Sequence, residues 1–244
     1  MGGGVVLHRL PCLVPGVWTT LRWMSARYED VVGPLRTAYD GGAAMRDAMV
    51  KEPWKLAERQ AFLDRVRSAD GRRLLEVGAG AGQDSLFFQD NGLDVVAVDL
   101  SPAMVDLCRA KRLDAHVRDL LNLGLDPESF DAVYSFNCLL HVPNRDLSAA
   151  LKAIRTVLRP AGLFFLGVYG GDESSEGPLE NDRHQPPRFF SFRTDEQLQL
   201  VAAESFEVVD FHVRATGGDR FQSLTLRRAT DAVHPGRRPT QPGR

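Results

Sequence analysis

Between Leu74 and Ser85 the chain reads LLEVGAGAGQDS: three glycines, Gly78, Gly80 and Gly82, follow a short apolar run that holds one carboxylate, Glu76. Glycines at this density let a backbone come very close to a ligand, and a helix that starts there offers free N–H groups. A dinucleotide fingerprint, G-x-G-x-x-G, would carry its third glycine at position 83, where this chain has Gln83. The spacing is instead E-x-G-x-G-x-G. Glu76 puts negative charge at a strand end, where a pyrophosphate is repelled and an ammonium group is welcome. Asp99 ends the next apolar run and can accept both hydroxyls of a ribose. That feature serves NAD and S-adenosylmethionine alike and does not separate them. Asp119 can accept from an adenine amino group, while the Leu120 backbone donates to a ring nitrogen. Together these groups describe a nucleoside that carries a cationic amino acid.

Such residues need a frame that brings strand ends together. RLLEVG (73–78) reads as a strand, 84–91 as a helix closed by Gly92, and DVVAVD (94–99) as a strand buried on both faces. Ser101 and Pro102 make a favoured helix start, with Ala103, Met104, Leu107 and Cys108 as its buried stripe. Strands follow at 115–118, 131–136 and 163–168, and a helix at about 146–158 precedes the last of these. Thr194 and Gln197 form a capping box for a further helix. FEVVDFHV and FQSLTL are joined by a turn around Gly217 and Gly218 and should pair antiparallel. A helix at about 55–68, with Leu56, Phe62, Leu63 and Val66 inward, precedes the first strand. The alternation predicts an α/β fold: a doubly wound, mostly parallel seven-stranded sheet with a terminal antiparallel hairpin. In such a sheet ligands sit outside the carboxyl ends of the strands, which is where the glycine loop lies.

Five motifs occur in order: LLEVGAGAGQDS, VVAVDLSPAMV, VRDLLNL, FDAVYSFNCLLHVP and LRPAGLFFLGVYGG. On these the chain resembles the class I S-adenosylmethionine-dependent methyltransferases over roughly residues 70–228. The resemblance implies a Rossmann-like methyltransferase fold and S-adenosyl-L-methionine as cofactor. It implies that Glu76, Gly78, Ala79, Gly80 and Gly82 line the methionine and ribose, and that Asp99 binds the ribose. Leu100 and Met104 would flank the adenine, Asp119 and Leu120 would hold its edge, and Asn137 would offer a carbonyl to the methionine amino group.

The acceptor side is less defined. His141, just after the fourth core strand, is the candidate general base; it also reads as a residue that packs at a helix start. Cys138 reads as a buried thiol rather than a nucleophile, because no cationic neighbour is in view to lower its pKa. The segment 170–193 reads as an ordered lid, with Arg183, Arg188 and Phe189 as acceptor-side candidates. Trp54 and Arg59 would form the opposite wall.

The net charge of −2 favours neither nucleic acid nor an acidic membrane as partner. No basic aromatic stripe suggests nucleic acid, no paired carboxylates suggest a metal, and no apolar run is long enough to span a bilayer. Cys12, Cys108 and Cys138 fit neither a disulfide framework nor a zinc site, which points to the cytoplasm. Residues 1–27, with Arg9, Pro11 and Pro15 and a further possible start at Met24, read as an extension. Residues 28–228 read as one domain, with cap helices in 28–69 and the core in 70–228, and 229–244 as a solvated tail. The expected function is methyl transfer from S-adenosylmethionine to a small molecule by in-line displacement. A non-catalytic S-adenosylmethionine-binding regulatory protein and a nicotinamide-dependent oxidoreductase are the alternatives.

Overall fold

The structure is a computed structural model that describes residues 26–216 and 219–230. The extension up to residue 25, the turn at Gly217 and Gly218, and most of the tail lie outside the described residues. Seven strands form one sheet in the order β3-β2-β1-β4-β5-β9-β8. They are β1 (Arg73–Val77), β2 (Asp94–Asp99), β3 (Asp114–Val117), β4 (Phe130–Phe136), β5 (Leu158–Gly170), β8 (Glu207–Thr216) and β9 (Asp219–Arg227). β1 to β5 run parallel; β9 runs antiparallel to β5 and to β8. This is the predicted doubly wound sheet with its terminal hairpin.

The central strands β1, β2, β4 and β5 are buried on both faces because helices cover each side. On one face Leu75, Val77, Val96 and Val133 meet α6 (Asn144–Val157) through Leu147, Leu151 and Ile154. Those helical positions recur at the spacing of one face. On the other face Leu74, Tyr134 and Phe165 meet α3 (Pro53–Ser68) through Phe62, Leu63 and Val66, and α4 (Gln83–Asp90) through Phe88. Leu56, expected on that stripe, is exposed, and Glu58 is buried in its place. Glu58 reaches the terminal hairpin, where it pairs with His212 and Arg214 and accepts from the Ser223 hydroxyl. α5 (Pro102–Ala110) starts as predicted, with the Ser101 side chain accepting from the Met104 N–H at 3.2 Å. It buries Met104, Val105 and Cys108, while Ala103 and Leu107 stay half-buried.

β5 is longer than the apolar run LFFLGV, because Leu158 pairs with Phe130 before a bulge and Leu163 resumes with Ala132. Within 170–193, β6 (Ser175–Pro178) and β7 (Phe189–Phe192) pair antiparallel as a small separate hairpin. α7 (Asp195–Ala203) carries the capping box of Thr194 and Gln197.

Two helices before α3 complete the cap: α1 (Tyr28–Gly41) and α2 (Ala43–Asp47). The cap is pinned to helix starts by polar bonds. Asp40 accepts from the Ser101 hydroxyl at 2.5 Å and from the Ala103 N–H at 3.2 Å. Lys51 bonds to Asp84 at 2.5 Å, and the Gln83 amide donates to the Met49 carbonyl at 2.9 Å. These contacts hold residues 39–51 over the carboxyl edge of β1 and β2.

Candidate functional site

A cavity lies between the carboxyl ends of β1, β2 and β4 and the cap. Its floor is the glycine loop. Gly78 turns at φ +76°, and a Cβ there would lie 2.5 Å from the Cys138 Cβ, so only glycine lets the loops after β1 and β4 meet. Gly80, at φ +54°, is different: nothing lies within 4 Å of where its Cβ would be. The space beside Gly80 belongs to the cavity, and a side chain would fill it. The Cys108 thiol donates to the Gly80 carbonyl at 3.2 Å and holds the loop from behind. Gly82 does not line the cavity. It opens α4 and faces Cys108 and Leu113, because the loop has already turned into the helix.

Asp99 sits at the end of β2. Its two oxygens accept from the Gly80 N–H at 2.8 Å and the Ser101 N–H at 2.9 Å. Each oxygen keeps a lone pair for a ligand hydroxyl. Burial raises its pKa, against the pull of those backbone N–H groups. Glu76 lines the cavity beneath the loop and accepts a short hydrogen bond from the Ser85 hydroxyl. Burial, with Asp84 as a like-charged neighbour, pushes its pKa up to about 8. Without a ligand Glu76 therefore holds a proton around neutral pH, a departure from the free carboxylate expected of it. Asp84 remains balanced by Lys51 and by Arg59 at 2.9 Å. This pairing takes Arg59 away from the opposite wall.

Ala79, Leu100, Met104 and Leu120 also line the cavity. Asp119 does not. Its Oδ1 accepts from the Leu121 N–H at 2.8 Å, because β3 ends at Val117 and the chain turns at once. Asn137 follows β4 in the left-handed region, at φ +57°, and donates its N–H to the Gly167 carbonyl at 2.7 Å. Its side-chain Oδ1 is buried in the lining with no partner among the described residues. An orphaned acceptor of this kind costs free energy unless a ligand donor meets it. Beside the open flank of Gly80 and the free lone pairs of Asp99, it fits an adenosyl amino acid.

Cys138 and His141 also line the cavity. Burial pushes the Cys138 thiol up to about 12, so it is inert at neutral pH. His141 is buried in a short 3-10 turn, Leu139–His141. Its Nδ1 lies 2.6 Å from the Phe189 carbonyl, and its Nε2 lies 2.6 Å from the Tyr39 hydroxyl. A carbonyl only accepts, so Nδ1 carries the hydrogen. Burial holds the ring neutral, with its pKa lowered to about 3 and the Arg188 and Arg46 charges adding to the effect. Nε2 therefore accepts from Tyr39. Of the two readings the sequence left open, general base or residue packed at a helix start, this geometry matches the second.

The remaining acceptor-side candidates lie one layer back or outside. Trp54 packs 4.8 Å from Phe221 and 5.9 Å from Phe136, ring centroid to centroid, and it is Phe136 that lines the cavity. Arg183 is exposed. Phe189 turns its ring into the core, and its carbonyl meets His141. Arg188 is held by Asp182 at 2.9 Å and reaches the Tyr39 hydroxyl at 3.3 Å. The hairpin of 170–193 is thus ordered, but it braces His141 and Tyr39 from outside and does not itself wall the cavity. The wall is the cap: Tyr28, Leu35, Tyr39, Arg46, Lys51 and Lys55. No sequence motif marked these. The spacing of Tyr28, Val31, Leu35 and Ala38, buried on one face of α1, says that the helix packs but not on what.

Residues 75–166 match a family described as "Methyltransferase domain". A ubiquinone biosynthesis O-methyltransferase of Xanthomonas campestris pv. campestris is 37% identical over 105 residues, 40% of this chain and 43% of that protein. The match spans less than half the length of that curated relative. Among solved structures, the 1,6-didemethyltoxoflavin-N1-methyltransferase of Burkholderia thailandensis, with bound 1,6-didemethyltoxoflavin and S-adenosylhomocysteine, superposes with a TM-score of 0.61 at 23% identity. That superposition covers 91% of this chain and 93% of the other. The CcbJ methyltransferase from Streptomyces caelestis gives a TM-score of 0.63 at 20% identity, over 80% of this chain and 99% of the other. At these identities the superpositions establish the fold.

Proposed function

We propose, from the premise that residues 75–166 carry a methyltransferase domain on a class I methyltransferase fold, that this chain moves a methyl group from S-adenosylmethionine to a small-molecule acceptor. The observation that carries the reading is the cavity beside Gly80, where an empty Cβ position, the lone pairs of Asp99 and the orphaned Asn137 oxygen converge. The cofactor, when bound, supplies a methyl group on a sulfonium that is already a strong electrophile. The chain's own task is then alignment and the exclusion of water. Asp99 holds the ribose hydroxyls. Asn137 and Glu76 face the ammonium group, and Leu100, Met104 and Leu120 cover the base. The cap, from Leu35 to Lys55, closes the acceptor end.

The working unit is residues 28–228, because the cap from 28 to 69 supplies one wall. The free thiols Cys108 and Cys138 suit a reducing cytoplasm. No helix among the described residues is long and apolar enough to cross a membrane. The first test is calorimetry of the purified chain with S-adenosylmethionine, S-adenosylhomocysteine and NAD. The adenosyl ligands should bind and NAD should not; NAD binding with no response to the other two would overturn the assignment. A screen of metabolite extract with labelled cofactor, read by mass spectrometry, would then find the acceptor.

A further inference from the structure

The acceptor end of the cavity carries a charge arrangement that the cofactor reading does not absorb. Tyr39, on α1, donates its hydroxyl hydrogen to His141 Nε2 at 2.6 Å. The direction is set because His141 Nδ1 donates to the Phe189 carbonyl. The Tyr39 oxygen therefore presents only lone pairs to its other neighbours. Two guanidinium groups take up that side: Arg188 at 3.3 Å and Arg46 at 3.4 Å. They are not equivalent. Arg188 is neutralised by Asp182 through a fork of contacts at 2.9 to 3.3 Å, and it stands outside the cavity. Arg46 lines the cavity, with its guanidinium 5.4 Å from the Tyr39 ring centroid. Its other hydrogen-bond contact is the Met49 sulfur at 3.8 Å, and no carboxylate pairs with it among the described residues.

Arg46 shares the lining with apolar side chains, and its charge also reaches Asp99. Leu35 and Val142 stand on the lining, and Met49 and Val50 form an exposed apolar rim, Val50 being 92% exposed. The other cap cations on the lining are already paired: Lys51 with Asp84 and Lys55 with Glu52. A planar fork of N–H donors with no anion, beside a tyrosine whose hydrogen is committed elsewhere and within an apolar rim, matches an oxyanion on an apolar body.

We infer that the methyl acceptor is a small apolar acid, anionic at neutral pH, and that Arg46 is the residue that selects it. This inference rests on the methyltransferase reading. Arg46 anchors the acid group, the rim of Met49 and Val50 covers the alkyl or aryl body, and Tyr39 holds the Arg46 fork in place. His141 is a positioning residue in this scheme, since it acts through Tyr39.

The test uses the full chain saturated with S-adenosylhomocysteine. It is titrated with matched pairs of probes: benzoate and benzamide, phenylacetate and phenylacetamide, hexanoate and hexanamide. At least one carboxylate should bind about tenfold or more tightly than its amide, the scale of a charge-assisted contact. Arg46→Gln should abolish that preference, Arg46→Lys should restore part of it, and S-adenosylhomocysteine should bind Arg46→Gln as it binds the original chain. Retained binding of that ligand also reports that the variant is folded. The proposal is overturned if every amide binds as well as its acid, or if Arg46→Gln keeps the preference. It is equally overturned if both variants melt normally but lose S-adenosylhomocysteine, because Arg46 would then serve the cofactor's own carboxylate. Absence of S-adenosylhomocysteine binding to the original chain would instead fail the methyltransferase reading itself.

Discussion

The Tyr39 hydroxyl and the His141 ring, 102 residues apart in the chain, meet at 2.6 Å, and the Phe189 carbonyl on the far side of the ring fixes which of them donates. The contact joins the cap to the turn after β4 at the cavity lining. It converts a candidate base into a fixed hydrogen-bond acceptor.

His141 should therefore stay neutral through the working range. An unfolded histidine takes up a proton near about 6.5, whereas in the fold this ring does so only near about 3. Between those values the unfolded chain binds more protons, so the stability His141 contributes is complete above about 6.5 and shrinks as pH falls toward 3. Ring resonances followed by NMR should show no His141 titration from about pH 8 down to about pH 5. Urea midpoints of the original chain and His141→Gln should converge as the solution is acidified. A ring that titrates near 6.5 would contradict the buried geometry.

Glu76 carries the opposite shift. Its folded pKa of about 8 exceeds the usual carboxylate value, so the fold binds more protons than the unfolded chain between about 4.3 and 8. Its contribution to stability is fully present below the ordinary carboxylate range and is lost as pH rises through about 8. A ligand ammonium beside Glu76 favours the ionised form, and binding should release protons near neutral pH. Calorimetry of S-adenosylhomocysteine in buffers of different ionisation enthalpy measures the number released. Equal heats in all buffers would show that Glu76 does not meet the ammonium.

The glycines should separate folding from binding. Gly80→Val places a side chain in the open flank of the cavity and should remove adenosyl-ligand binding, at a fold cost of about 1–2 kcal/mol for the left-handed backbone. Gly78→Ala drives a methyl into Cys138 and should destabilise by more, about 1–3 kcal/mol of overpacking added to that backbone cost. Thermal melts and ligand titrations of the two variants test the contrast. Intact ligand affinity in Gly80→Val would move the site elsewhere.

Asp99→Ala should weaken S-adenosylhomocysteine by about 1.5–3 kcal/mol, the worth of hydrogen bonds to a charged group. It should also lower the melting temperature, because the N–H groups of Gly80 and Ser101 lose their acceptor. An unchanged melt would mean that the loop finds other partners.

Arg193 supports the His141 turn from below. It is buried and donates to the Val142 carbonyl at 2.5 Å and the Leu139 carbonyl at 3.4 Å, and burial lowers its pKa to about 10. Arg193→Met keeps much of the volume but strands the Val142 carbonyl, while the Leu139 carbonyl keeps the Val142 N–H at 3.2 Å. The change should cost about 1–3 kcal/mol. Amide exchange at His141 should quicken in the variant. Unaltered exchange there would assign the support to the hairpin alone.

Much of the frame was legible because its signals are local. The helix start at Ser101 and Pro102, the capping box at Thr194 and Gln197, and the β-branched run of β2 each follow from neighbours in the chain. That Glu76, Gly78, Gly80, Asp99 and Asn137 share one cavity lining was legible for the same reason: they lie at strand ends, and a parallel sheet brings strand ends to one edge. Asp119 shows the limit. Its position follows from β3, but whether its oxygen faces a ligand or the Leu121 N–H depends on how sharply the chain turns there.

What the sequence determined by itself is the sheet, its order of elements and the edge where a nucleoside can lie, since periodicity and turn chemistry act over a few residues. What only the tertiary structure decided is the cap wall of the cavity. Arg46 and Tyr39 sit on helices whose stripe says merely that they pack. Their meeting with His141 depends on the bond of Asp40 to Ser101, that of Lys51 to Asp84, and the placing of Phe189 by a separate hairpin. The two side-chain bonds join residues 61 and 33 positions apart, and side-chain hydrogen bonds over such distances leave no periodic trace in a chain. The ionisation of His141 and Glu76 was hidden for a related reason: burial sets it, and burial is a property of the assembled fold.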